Sequence, residues 1–543
     1  MLRARDESST RPWVVASTRR IAKVVPWPHS ALDGVHHWCT RHRWIRFAPA
    51  ALVAIAMRAR FVTTPITSDE GGFLGIARAW SRGARLYDRV WVDRPQGLLV
   101  AFRLLDAIGL GNPAGVRMLG IVACVAGSIA AGVAAEQLFA TSDVRRASTG
   151  VLASIFVAVF TSVPQYEGFV TNGELLSGSV GVVGLAFALR ATRRGLSPSY
   201  WGLLGAGAFA GLALSLKQSA FDAFGCALLA IAWSAHRSPS WSRRARYAVV
   251  PVALAGSALP VVAMIVHGAV TGWNRFWYAV AGYRMEQRSA LVGADWQRFD
   301  LTWPVAAPAL VPVAVLVLVG GALALLRPAH RAAIAISTAW IVLSLAAFLS
   351  GGQFHRHYWV ILAFPLGMIG AGVITTVPAR WARYALAALV LWSPVRMTVQ
   401  AIRLPTSKVP QALSGDTRLN ADEDIAAWFD RRAQPGDTID ALCASAGLYG
   451  NVSTDPPVPY LWLDNVRNID GAGQRIAAAL DSPTGPRFVA VYEQPSICDP
   501  SGGIARALSS HYRRVASVDG IAIQERDGPT STTGATGAIP SRS

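Results

Sequence analysis

Apolar stretches recur along the chain from Ile45 to about Arg396, and arginines, tryptophans or prolines close most of them. A helix needs roughly 20 mainly apolar residues to cross a bilayer. The pattern predicts about eleven spans, near 45–62, 114–139, 148–163, 175–189, 200–216, 221–235, 247–266, 305–326, 332–349, 359–377 and 384–395. Between the first two lies a long loop, 64–113, whose apolar pieces are broken by charge and predict amphipathic helices. A second loop, 268–303, is rich in Trp, Tyr and Arg and predicts a helix lying in the membrane interface. Beyond 420 the period changes. Asp422–Arg432, Arg475–Leu480 and Ile504–Tyr512 read as helices, Thr438–Leu442 and Phe488–Tyr492 as strands, and Val515–Gln524 as a terminal hairpin. Helices alternating with strands predict a small α/β domain. No internal repeat is visible.

Composition agrees with a membrane protein. Of 543 residues, 52% are hydrophobic and only 15% charged, against about 25% charged in soluble chains. The formal net charge is +19, from 51 Lys+Arg and 32 Asp+Glu. Such a balance raises nucleic acid as a partner, but the arginines sit mostly in short loops: Arg145 and Arg146, Arg190 to Arg194, Arg237 to Arg246, Arg327 and Arg331, Arg380 and Arg383. Loops of that kind stay in the cytoplasm. The basic residues therefore read as topology signals and contacts to anionic lipid, and no nucleic acid partner is expected. Residues 1–43 are polar and basic, with no apolar core for a cleavable signal.

The expected organisation is a cytoplasmic segment 1–43, a transmembrane domain 44–400 with its first external loop at 64–113, an extracytoplasmic α/β domain 401–527 and a disordered Ser/Thr/Gly/Pro-rich tail 528–543. An odd span count with the N-terminus inside places 398–543 outside a multi-pass plasma-membrane protein. Cys124 and Cys226 fall inside spans and read as packing residues. Cys443 and Cys498 share the C-terminal region, where an extracytoplasmic setting permits a disulfide; sequence leaves their pairing open.

Chemistry enters with the acids. Ser68-Asp69-Glu70-Gly71-Gly72 follows the first span, and Glu174 begins the fourth at the same expected surface. Carboxylates held where apolar helices meet water are costly and point to function. The plain alternatives are a helix cap for Asp69-Glu70 and a first-turn acid for Glu174. Arg94, before Pro95, suits a phosphate or a snorkelling anchor. Lys217, between two spans, has the same two readings. His355, Arg356 and His357, with Tyr358, form a cationic cluster suited to a phosphate. Histidines two apart, without a third ligand, make poor metal spacing. Arg284, Glu286 and Arg288 read as a solvated face. Arg58 and Arg60 suggest a lipid phosphate near the outer end of the first span.

The ordered set resembles the GT-C membrane glycosyltransferases, in particular bacterial relatives of protein O-mannosyltransferases and of lipid A aminoarabinose transferases (family 39/83-like), over roughly residues 45–400. Ser68-Asp69-Glu70, the helix with Ile76 to Trp80, Gly83-Ala84-Arg85-Leu86-Tyr87 and Asp93-Arg94-Pro95 follow that family's order. Arg94-Pro95-Gln96 departs from its usual Lys-Pro-Pro. Asn172-Gly173-Glu174-Leu175 and Gly351-Gly352-Gln353-Phe354-His355-Arg356-His357-Tyr358 also fit. The resemblance implies an α-helical polytopic fold with about eleven spans and a small C-terminal α/β domain. It implies inverting transfer of a mannose- or arabinose-type sugar from a polyprenyl-phosphate donor to a protein, glycan or glycolipid acceptor. Asp69 would be the base, with Glu70 orienting the loop or binding a sugar hydroxyl and Glu174 binding acceptor or supporting Asp69. Arg94, Tyr87, Lys217, His355, Arg356, His357 and Tyr358 would hold donor and phosphate. No metal ligand set is evident, and a divalent cation near Asp69 stays open. A lipid or sugar transporter, and a non-catalytic envelope assembly protein, are the competing classes.

Overall fold

A computed structural model describes residues 44–139, 143–193, 196–290, 292–443 and 446–528. The basic segment 1–43 and the tail from 529 onward lie outside the described residues, as do the expectations placed on them. The described residues from Phe47 onward form one compact unit.

Helix α1 (Ala48–Ala59) continues into a 3-10 turn, Arg60–Thr63, and stops where Thr64 and Pro65 extend the chain. The amphipathic pieces of the loop that follows fold into two helices, α2 (Ser68–Ser81) and α3 (Gln96–Ala107). The next group is α4 (Pro113–Phe139), α5 (Asp143–Phe160), α6 (Gly173–Ala191), α7 (Tyr200–Leu216), α8 (Asp222–Arg237) and α9 (Arg243–Trp277). Then come α10 (Tyr283–Ala290), α11 (Val292–Leu325), α12 (Arg331–Gly351), α13 (Trp359–Thr376) and α14 (Arg380–Ile402). Each of the eleven predicted spans is helical. Among the described residues seven helices are long and apolar enough to cross a membrane by themselves, and Arg146–Phe160 and Tyr200–Leu216 are shorter apolar helices.

Side-chain oxygens start several of these helices. Asn172, Ser199 and Ser242 each accept from a backbone N–H in the first turn of α6, α7 and α9, satisfying donors the helix leaves unpaired. Small residues then let helices touch. A Cβ on Gly207 of α7 would collide with the Ala253 carbonyl of α9, so the two backbones pack directly, as small residues allow in membranes.

The interfacial helix predicted at 268–303 is broken in two. Gly272 takes φ 116° inside α9, a conformation glycine tolerates, and a π-turn at Tyr278–Gly282 redirects the chain into α10.

The C-terminal region holds α15 (Arg418–Asp430), β1 (Ile439–Leu442), α16 (Leu448–Asn451), α17 (Leu463–Asn468), α18 (Ala472–Asp481), β2 (Phe488–Val491), a turn of helix at Pro495–Cys498, α19 (Gly503–His511), β3 (Tyr512–Val518) and β4 (Ile521–Arg526). The strand order is β1-β2-β4-β3. β1 and β2 run parallel, with Ile439 opposite Phe488, while β3 and β4 form the predicted hairpin. Cys443 and Cys498 are disulfide-bonded, with Cα atoms 5.7 Å apart; the buried Cys124 and Cys226 are free.

The transmembrane helices share one apolar core. A second joins the 64–113 loop to the α/β region: Phe73, Leu74 and Trp91 pack in one cluster with Ile425, Tyr449 and Leu461. The C-terminal region is thus built onto the loop that carries Asp69 and Glu70.

Candidate active site

Helix α2 begins with a capping box. Glu70 N donates to Thr67 Oγ1 at 3.4 Å, and Thr67 N donates back to Glu70 Oε2 at 3.2 Å. This arrangement satisfies two backbone donors at the helix start. It also fixes which way each acid points, because neighbouring helix positions lie about 100° apart.

Glu70 points inward and is fully buried. Its Oε2 accepts from Thr67 Oγ1 at 2.9 Å and lies 2.8 Å from Arg117 Nη2, while Oε1 accepts from Thr171 N at 2.7 Å. Arg117 Nη2 also donates to the Pro65 carbonyl at 3.2 Å. With about four acceptor sites on a carboxylate, Glu70 has none left for a sugar hydroxyl. These contacts tie the start of α2 to α4 and to the segment before α6.

Asp69 faces the other way and keeps 28% of its side-chain surface open. Trp462 Nε1 donates to its Oδ1 at 3.2 Å, and Oδ2 lies 3.8 Å from His357 Nε2. Burial raises its pKa, against the opposing pull of His357 and Arg94. A carboxylate in that setting is a stronger base than one in water.

The C-terminal region reaches Asp69 because α2 carries glycine next to the acids. A Cβ at Gly71 would sit 2.6 Å from the Gly447 carbonyl oxygen, and one at Gly72 would sit 2.5 Å from Trp462 Cζ2. Gly71 thus admits the Gly447 backbone, and Gly72 admits the Trp462 indole.

His357 precedes α13. Its Nδ1 lies 2.9 Å from Glu167 Oε2. Its Nε2 is buried without a hydrogen-bond partner, between Asp69 Oδ2 and Glu174 Oε1 at 3.8 Å and 3.7 Å. Glu174, in the first turn of α6, is buried and paired with Lys217 Nζ. That ammonium also lies over the Tyr358 ring, 4.2 Å from its centroid. Lys217 and Tyr358 therefore back the Glu174 carboxylate; neither lines the cavity beside Asp69.

That cavity, ≈ 80 Å³, is lined by Asp69, Arg94, Arg284, His355, Trp462 and Asp464 among others. Asp93 Oδ2 lies 2.7 Å from Arg94 Nη1 and also pairs with Arg284. Burial disfavours the Asp93 carboxylate, but Arg284 and Arg94 outweigh it and hold its pKa below the usual range. Burial alone would weaken the Arg94 guanidinium; Asp93 overcomes this and raises its pKa. His355 Nε2 lies 3.2 Å from Gln353 Oε1. Burial and then the neighbouring His357 push its pKa well down, so it presents a neutral ring.

Several expectations need correction. Arg284 belongs to the site and is only 16% exposed, not part of a solvated face; the kink at Gly272 folds α10 over the loop. Arg356 turns away and donates to the Leu413 carbonyl. Tyr87 is buried, and its hydroxyl donates to the Arg94 carbonyl at 2.9 Å, so it fixes the loop rather than lining the cavity beside Asp69. Arg58 is buried and donates to Ser162 Oγ at 3.1 Å and the Thr161 carbonyl at 2.9 Å, which leaves it a bracing role. Arg60 donates to Thr406 Oγ1 at 2.7 Å. Sequence reasoning missed Glu167, which depends on a turn with φ 58°, and Trp462, Asp464 and Asn465, brought in by long-range packing. Among the described residues no group of three or more His, Cys, Asp or Glu has metal-holding geometry.

No protein-family model matches the chain, and no curated protein matches it. Solved structures do. The crystal structure of ArnT from Cupriavidus metallidurans bound to undecaprenyl phosphate superposes with a TM-score of 0.59, over 89% of this chain and 98% of that one, at 12% identity. The apo form of the same protein gives 0.55, over 90% and 98%, again at 12% identity. The chain thus has the polytopic fold of ArnT, with its small C-terminal α/β region, as the GT-C resemblance implied.

Proposed function

We propose that this protein is a membrane glycosyltransferase that moves a sugar from a polyprenyl-phosphate donor to an acceptor at the outer membrane surface. One observation carries the reading: an open carboxylate, Asp69, shares a cavity with two arginines, Arg94 and Arg284, that converge on a single acid. The ArnT structure solved with undecaprenyl phosphate supports the donor class.

In this mechanism Asp69 takes the proton of an acceptor hydroxyl as that oxygen attacks the anomeric carbon. The bond from that carbon to the phosphate oxygen breaks, with inversion. The departing polyprenyl phosphate gains negative charge, which Arg94 and Arg284 neutralise as they turn from Asp93 to the phosphate. His357, held by Glu167, keeps Asp69 in place, and Glu174 with Lys217 holds His357 from behind. Trp462 fixes the second oxygen of Asp69. A mannose- or arabinose-type sugar and a protein, glycan or glycolipid acceptor fit this chemistry equally.

Arg94→Ala is expected to raise the donor KM about tenfold or more, the scale of one charge-assisted hydrogen bond, with a smaller change in kcat. An unchanged donor dependence would return Arg94 to the role of lipid anchor. The outer location makes a second prediction. A reporter active only in the cytoplasm, fused at Arg526, is expected to be silent; an active fusion would place the site on the inner face.

A further inference from the structure

On the membrane face opposite the acid cluster, several helix ends surround an open volume. Helix α6 runs from Glu174 at the site to Ala191 at this face, about 26 Å away at 1.5 Å per residue. Helices α4 and α8 end here, and α5 and α12 begin here. Between them lies a recess of ≈ 470 Å³, lined by Arg146, Arg193, Arg237, Trp233 and Thr192 among others. It adjoins a second recess of ≈ 830 Å³ that shares Trp233, Arg237 and Ala332 and adds Arg331. Among the described residues no aspartate or glutamate lines either one.

Arg193, Arg237 and Arg331 bring like charges together around the two adjoining recesses, where they repel one another. Arg237 lies over the Trp233 ring, 5.0 Å from its centroid, and Arg331 spends only its Nε on the Leu325 carbonyl, at 3.0 Å. The remaining donors suit an anion with several oxygens. The rest of the lining is apolar, with Leu138, Leu325 and Ile336. Trp233 lies one turn before the end of α8, and tryptophan concentrates where membrane helices end. Oxyanions at the surface with alkyl chains running beside helices describe a lipid.

We propose that the two adjoining recesses together form a binding site for the phosphate headgroup of an anionic glycerophospholipid, separate from the donor site. Arg193, Arg237 and Arg331 surround the headgroup, and the acyl chains lie along the apolar wall. This is more than the general attraction of basic loops for anionic lipid, because it assigns the binding to particular arginines. Arg243 and Arg244 belong to the same face and do not line either recess.

Native mass spectrometry of the purified full chain, titrated with phosphatidylglycerol or phosphatidylcholine, tests this. The wild type is expected to retain phosphatidylglycerol. The Arg237→Gln/Arg331→Gln double variant is expected to bind it about thirtyfold more weakly, on the usual contribution of an arginine near a charged headgroup. Arg243→Gln/Arg244→Gln is expected to bind like the wild type. Both pairs are exposed, so the variants should fold, and circular dichroism checks that they do. Equal losses in the two double variants would overturn the site in favour of general charge. Equal retention of phosphatidylcholine would overturn the anionic headgroup. Full displacement by inorganic phosphate alone would overturn the lipid.

Discussion

Asp69→Asn is expected to fold and insert like the wild type and to lose sugar transfer by at least about a hundredfold, the lower end of what a positioned base contributes. The amide keeps the size of the side chain and still accepts from Trp462, so the wall of the cavity survives. What it loses is the capacity to take a proton. The raised pKa of Asp69 adds a pH signature. A base works only when deprotonated, so activity should fall as pH drops through that pKa. The acid limb should therefore lie above the usual aspartate value of about 4. In Asp69→Asn any residual activity should lack that limb. Retention of the limb in the variant would assign it to another group.

Glu70→Ala, one residue along, should behave in the opposite way. Glu70 and Arg117 are buried at 0% and 2% side-chain exposure. Removing one partner of a buried pair costs about 3–5 kcal/mol, because the other charge is stranded. The loss reaches three segments at once: Thr67 at the start of α2, Arg117 in α4 and the Thr171 backbone before α6. The protein should therefore melt at a much lower temperature or fail to accumulate. Glu70→Gln, which keeps an acceptor, should fall between. A Glu70→Ala protein with wild-type melting and no turnover would move Glu70 from structure into chemistry.

This division between adjacent acids was not legible in the sequence, which presents them as a pair. Spans were legible because apolar period and arginine placement are local properties, and the strands at 439 and 488 were legible for the same reason. That Asp69, Arg94 and His357 share a site was an expectation carried by the GT-C resemblance. The rest depends on geometry that no local pattern encodes. Arg284 joins the site only because Gly272 and a π-turn redirect its helix. Trp462 reaches Asp69 from 393 residues away. A signal for that contact was present, since Gly71-Gly72 beside the acids marks a helix face that another segment must approach closely.

The most direct test is transfer from labelled polyprenyl-phosphate sugars in membranes carrying the wild type or Asp69→Asn at matched levels. Transfer by the wild type and none by the variant is the predicted result, and the donor that works would name the sugar. Equal transfer by both would contradict the assignment of Asp69 as the base.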